Sequence, residues 1–249
     1  MSKLKNKVAI VTGASKGIGA GIAKAYGTEG ASVVVNYSSD KDGAERVVNE
    51  IVANGGKAVA VQGNVSRKAD VKKLFEETKN AFGKVDILVN NAGVFKFEPL
   101  EEVTEEEFHR QFNTNVWGTI LATQEALQYF NGDGGSVINV SSIISDNPLA
   151  HSVVYSATKG AVDTIAVGLS KELGSKNIRI NTIAPGGVET EGTHTAGIVG
   201  GDFEKQIIAG TPLGRIGQPG DIAKVAVFLA SDDSQWVNGE KISVSGGFR

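Results

Sequence analysis

Seven short apolar runs, each separated from the next by a longer stretch with helical character, constrain this chain more than any other feature. The runs Val8–Val11, Ser32–Val35, Ala58–Val61, Ile87–Val89, Ser136–Val140, Ile178–Ile183 and Lys241–Val244 are dominated by valine, isoleucine and alanine. Most lack polar alternation, which suits strands buried on both faces. Helical patterns fall between them at about 17–29, 40–54, 67–82, 104–129, 152–175 and 219–230. Ser66, Thr104 and Asp221 are candidate helix-start residues, and Pro219 suits a first turn. Strand–helix–strand repetition needs crossover connections, so the expected fold is α/β: a doubly wound parallel sheet with helices on both faces. No linker, repeat or low-complexity tract interrupts residues 1–249, which therefore read as a single domain. Residues 186–218 break the alternation: they carry six glycines by position 201 and show no clear period before Phe203. A stretch of that length and composition predicts a substrate-binding loop or lid within the domain.

The glycines are unevenly distributed. There are 32 of them, nearly double the usual share of about 7%. Gly13, Gly17 and Gly19 lie directly after the first strand, where the first helix opens. Glycine there allows a tight turn and lets backbone N–H groups approach a pyrophosphate at the helix N-terminus. The spacing is G-x-x-x-G-x-G, different from the usual G-x-G-x-x-G dinucleotide fingerprint. The chain has no cysteine and three scattered histidines, so disulfides, thiolate chemistry and a metal site are not expected. A net charge of −3 gives no reason to expect nucleic acid or a membrane surface as partner. The polar, basic N-terminus lacks the apolar core of a signal peptide, and the default expectation is a cytoplasmic protein.

Tyr155 and Lys159 are spaced to share one helix face. An ammonium beside a phenol favours the phenolate and can bring a group of ordinary pKa about 10 into use as an acid/base. The same spacing also occurs on solvated helix faces, so the surrounding motifs must decide.

Those motifs are Thr12-Gly-x-x-x-Gly-x-Gly19, the run Asn90, Asn91, Ala92 and Gly93, then Asn115, Ser142, Tyr155-x-x-x-Lys159, and Pro185 with Gly186. Their order and spacing resemble the short-chain dehydrogenases/reductases over essentially the whole chain. The resemblance implies a Rossmann fold of about seven strands in the order 3-2-1-4-5-6-7. It also implies oxidoreductase activity with a nicotinamide cofactor that donates the hydride. In that reading Tyr155 exchanges the proton, Ser142 holds the substrate oxygen, Lys159 lowers the tyrosine pKa and binds the ribose, and Asn115 holds a relay water. Cofactor contacts are then expected from Gly13, Ser15, Lys16, Gly17, Ile18, Gly19, Asn36, Tyr37, Ser38, Asn64, Val65, Asn91, Ala92, Gly93, Tyr155, Lys159, Pro185, Gly186, Val188 and Thr190. No carboxylate follows the second strand until Asp40, while Asn36, Ser38 and Lys16 could meet a 2′-phosphate. NADP(H) is therefore the expected cofactor, with NAD(H) possible.

The expected reaction interconverts a carbonyl and a secondary alcohol on a small organic substrate. The resemblance is strongest with 3-oxoacyl carrier-protein reductases and with sugar or small-alcohol dehydrogenases such as glucose 1-dehydrogenase. A carrier protein is acidic, yet the turn Gln128–Gly135 has no lysine or arginine and includes Asp133, and Lys176 is the only nearby base. A nucleotide-binding sensor would not need all of Asn115, Ser142, Tyr155 and Lys159. Ala157, Gly160 and Ala161 lie on the Tyr155 helix, which in this family pairs with its copy in another subunit, so a homotetramer is expected.

Overall fold

The fold is that of a computed structural model, which describes residues 2–130, 132 and 134–248; Asp133 of the Gln128–Gly135 turn lies outside them. In chain order the elements are β1 (Val8–Val11), α1 (Gly17–Thr28), β2 (Ser32–Tyr37), α2 (Lys41–Ala53), β3 (Lys57–Gln62), α3 (Lys68–Phe82) and β4 (Ile87–Asn90). Next come α4 (Glu105–Phe112), a π turn at Asn113–Trp117, α5 (Gly118–Ala126), β5 (Gly135–Val140), α6 (Val153–Leu173) and β6 (Ile178–Pro185). The chain finishes with α7 (Glu191–Thr195), α8 (Asp202–Gly210), α9 (Pro219–Ala230) and β7 (Lys241–Val244).

The strands form one seven-stranded sheet in the order β3-β2-β1-β4-β5-β6-β7. Every pairing is parallel. Alternate side chains feed opposite faces, as the two-residue period of a strand requires. Ala9 and Val11 pack with Ile22, Ala23, Ala226 and Leu229 of α1 and α9. Ile10 instead joins Leu74, Phe75, Leu121 and Ala166 of α3, α5 and α6. The chain winds outward in both directions from the β1–β4 pair, so the crevice between their carboxyl ends is the topological switch point at which such sheets bind ligands.

Four local expectations change. The stretch 104–129 is not one helix: α4 passes through the five-residue π turn into α5, and Asn115 lies in the turn. Thr104 does cap α4, accepting the Glu107 N–H at 3.2 Å. Ser66 does not cap α3; its N–H and hydroxyl both donate to Asn64 Oδ1, and the helix begins after Arg67. Asp221 is the third helical residue of α9, and its carboxylate reaches back to the Gln218 N–H at 2.8 Å, with Pro219 in the first turn. The stretch 186–218 holds two helices, α7 and α8. The first is too short to show a period in sequence; it is fixed by a capping box between Thr190 and Thr193.

Candidate active site

The first strand-to-helix turn is held by backbone and amide contacts. Thr12 Oγ1 accepts the N–H groups of Asn91 and Ala92, both at 3.0 Å, and donates to the Val89 carbonyl at 3.1 Å. Asn91 Nδ2 donates to the carbonyls of Thr12 at 2.9 Å and Gly13 at 3.0 Å. The turns after β1 and β4 are thereby fixed to each other. Asn90 points into the sheet and donates to Asn139 Oδ1 at 2.9 Å and Thr123 Oγ1 at 3.1 Å. Gly13 has φ +60°, and a Cβ there would stand 2.8 Å from Ala92 Cα. A Cβ at Gly19 would fall 2.4 Å from Asn91 Nδ2 and 2.6 Å from the Gly13 carbonyl. The loop therefore requires glycine for both conformation and space.

A cleft of about 560 Å³ opens over this turn, at the carboxyl edge of the sheet. All of the residues expected to border a cofactor line it, from Gly13 through Thr190, together with Ser142, Tyr155 and Lys159. The N–H of Gly17, in the first turn of α1, donates to a carboxylate oxygen of Glu191 at 3.0 Å. A carboxylate on this N–H shows that the turn accepts an anionic oxygen, and the glycine cradle leaves room for a larger group, so these residues fit a dinucleotide pyrophosphate.

Two expected contacts need correction. Asn36 is buried and its amide is already engaged: Nδ2 donates to the carbonyls of Val61 and Gly63, and Oδ1 accepts the Gly13 N–H at 3.2 Å. It shapes the glycine turn instead of offering an amide hydrogen to a 2′-phosphate. Ser38, Ser39 and Lys16 remain at the rim, while Asp40 caps α2 by accepting the Gly43 N–H. Asn64, expected as a cofactor contact, has its Oδ1 taken by the N–H and hydroxyl of Ser66.

Tyr155 and Lys159 stand where α6 meets the end of β5, and Lys159 Nζ lies 5.6 Å from the tyrosine ring centroid. Lys159 Nζ donates to the Val140 carbonyl at 2.8 Å. Burial pushes the Tyr155 phenol up to about 12, with the nearby Ser142 hydroxyl pulling the other way. Burial likewise lowers the Lys159 ammonium to about 8, against the pull of Asp163. For the Tyr155 phenol, desolvation of the phenolate outweighs the pull of Ser142. Ser142 lies two residues past β5, where its Oγ accepts the Ile144 N–H at 3.3 Å. Asn115 is buried, with Oδ1 accepting the Val94 N–H and Nδ2 donating to the Val94 carbonyl and Thr158 Oγ1. Its side chain is fully engaged in joining the π turn to the loop after β4 and to α6.

A second cavity, of about 290 Å³, shares Phe95, Ser142, Tyr155, Gly186, Val188 and Thr193 with the first. Its remaining lining is mostly apolar and includes Phe97, Ile144, Leu149, Phe203, Ile207 and Phe248. Phe95 and Phe97 lie 5.7 and 6.2 Å from the Tyr155 ring, centroid to centroid. The sequence reading missed these aromatics. The available signal was two phenylalanines directly after the Asn90–Gly93 motif, in a chain that is only 6% aromatic. Phe248 could not be found that way, since only the fold brings the C-terminus to this wall.

A family model described as enoyl-(acyl carrier protein) reductase matches residues 13–249. An uncharacterised oxidoreductase of Methylorubrum extorquens is 56% identical over the full length of both chains. Among solved structures, an angucycline C-6 ketoreductase with bound NADP superposes with a TM-score of 0.93 at 38% identity, covering 99% of this chain and 97% of its own. A 7α-hydroxysteroid dehydrogenase complexed with NADH and 7-oxo glycochenodeoxycholic acid superposes with a TM-score of 0.95 at 35% identity, covering 99% and 95%. On the matched motifs, the sheet order and these relatives, the chain belongs to the short-chain dehydrogenase/reductase family and is an oxidoreductase acting on carbonyl and CH–OH groups.

Proposed function

We propose that the chain is an NADP(H)-dependent carbonyl reductase/alcohol dehydrogenase whose substrates are apolar cyclic ketones and the matching secondary alcohols. The observation that carries this reading is the position of Tyr155, on the wall shared by the polar cleft and the aromatic cavity. When bound, the cofactor supplies or accepts the hydride. The chain orients the substrate and moves the proton. Tyr155 Oη delivers its proton to the developing alkoxide in reduction and removes the alcohol proton in oxidation. Ser142 Oγ donates to the same oxygen, and the Lys159 ammonium stabilises the phenolate left behind. Asn115 acts through position, holding the π turn against α6.

NADP(H) is favoured because Lys16, Ser38 and Ser39 line the rim and Asp40, the first carboxylate after β2, is already engaged as a helix cap. Gly13, Gly17, Gly19, Val188 and Thr190 frame the pyrophosphate side, and α7 with α8 forms the lid over the substrate. A polar sugar is disfavoured by the cavity lining, where Asn147, Gln206, Thr193 and the site's own Ser142 and Tyr155 are the polar side chains. Polycyclic ketones fit it, and both solved relatives described above are named for such compounds. A homotetramer is the expected assembly. Trp117 and Phe108 near the π turn, and Val153 and Val167 on α6, are exposed, and a Cβ at Gly160 would meet nothing within 4 Å. No helix among the described residues is long and apolar enough to cross a membrane, and a cytoplasmic location remains the expectation.

The test is a spectrophotometric screen at 340 nm of fused-ring ketones, β-ketoesters, sugars and acyl thioesters with NADPH and NADH. The highest kcat/KM is expected for a fused-ring ketone with NADPH. A sugar as best substrate, or tighter binding of NADH, would overturn the corresponding half of the proposal.

A further inference from the structure

One partly buried carboxylate beside the site has no part in the chemistry described above. Asp163 lies one helical turn beyond Lys159 on α6, so the two side chains share a face. Its Oδ2 accepts Lys241 Nζ at 2.7 Å, while Oδ1 is buried with no hydrogen-bond partner among the described residues. A carboxylate oxygen left unpaired in the interior is costly unless positive charge nearby compensates it. Lys241, on the edge strand β7, also donates to Ser145 Oγ and Asp146 Oδ2, each at 2.7 Å. One ammonium therefore clamps α6, β7 and the short turn Ile143–Ser145 that follows Ser142.

We propose that Asp163, clamped by Lys241, is a positioning residue: it supplies the negative charge that holds Lys159 as an ammonium beside Tyr155, and Lys241 sets how much of that charge Lys159 feels. The surroundings of Lys159 leave this role to Asp163. On its own helix the titratable neighbours are Tyr155 and Asp163. The loop after β4 presents Gly93, the π turn presents Asn115, and the end of β5 presents the Val140 carbonyl and Ser141, all of them uncharged. Asp146 is paired with Lys241. Burial works against the charged form of Lys159, and Asp163 works for it. The proposal rests on the reading that Tyr155 and Lys159 carry the proton chemistry.

The experiment follows Lys159 in protein carrying 13Cε-labelled lysine, its resonance assigned by its loss in Lys159→Arg. The alkaline limb of kcat/KM for ketone reduction is measured in parallel. Asp163→Asn is expected to lower the Lys159 midpoint and the alkaline limb together by about one pH unit. Asp163→Glu is expected to restore both, and Lys241→Met to raise them. If Asp163→Asn does not fold, the rise in Lys241→Met is the deciding result. A role limited to packing would lower activity equally at every pH. An unmoved Lys159 midpoint in these variants would overturn the proposal whatever the activity. A midpoint that moves while the alkaline limb stays fixed breaks instead the assignment of Lys159 to the chemistry.

Discussion

The two halves of the site are built from different materials. The cofactor half is made of backbone: glycines at 13, 17 and 19, carbonyls fixed by Asn91, and N–H groups fixed by Thr12 and Asn36. The substrate half is made of apolar side chains that come from the loop after β4, the turn after β5, α8 and the C-terminus. Backbone recognition tolerates almost no added atom, because a turn has no rotamer with which to adjust. An apolar wall of separate side chains tolerates exchange and changes selectivity by degrees. The difference explains how one fold can keep its cofactor and vary its substrate.

Tyr155→Phe lies on the seam between the halves and should have the largest effect. Removing the proton donor is expected to lower kcat on the order of 10²–10⁴-fold, with NADPH binding by fluorescence titration retained. Near-normal turnover would remove Tyr155 from the chemistry. Gly19→Ala should break the cofactor half specifically. Its new Cβ meets Asn91 Nδ2 and the Gly13 carbonyl, and overpacking of about 2 kcal/mol corresponds to roughly thirtyfold weaker NADPH binding. Unchanged affinity would show that the turn can yield after all.

Phe203→Ser should act only on the substrate half. Losing part of an aromatic contact costs about 1.5 kcal/mol, read as roughly a tenfold rise in KM for a fused-ring ketone, with the NADPH Kd unmoved. A change in the cofactor Kd would mean that the halves are coupled through α8. Lys16→Ala should have the smallest effect. One exposed charge is worth about 1 kcal/mol or less, so the preference for NADPH over NADH should fall by up to about fivefold and diminish further at high salt. An unchanged preference would leave Ser38 and Ser39 as the discriminating groups.

How much of this was legible in the sequence differs in the same way between the halves. The strand runs and the glycine turn could be read because each is local, and the Ser142, Tyr155 and Lys159 set because its order and spacing resemble the family's. The π turn at Asn113–Trp117 could not, since its residues continue the helical pattern on both sides and only packing against Val94 and Thr158 shows why it bulges. Asn36 reads as a rim residue from its place at the end of β2. Its inward rotamer follows from the acceptors that β3 and the following turn present. Sequence spacing likewise places Lys159 beside Tyr155 and says nothing of how far the phenol is desolvated.

The sequence by itself determined the α/β class, the parallel sheet and the glycine turn, because short-range periodicity and glycine placement encode them directly, and it carried the motifs, Ser142 and Tyr155-x-x-x-Lys159 among them, whose order resembles the family's. Only the tertiary structure decided what faces the tyrosine. Phe95 and Phe97, which pack against Tyr155, share one cavity wall with the sequence-distant Phe203 and Phe248, and Lys241 reaches Asp163 from the far edge of the sheet. Such contacts depend on which elements the winding of the sheet brings to its carboxyl edge, and no local pattern carries that information.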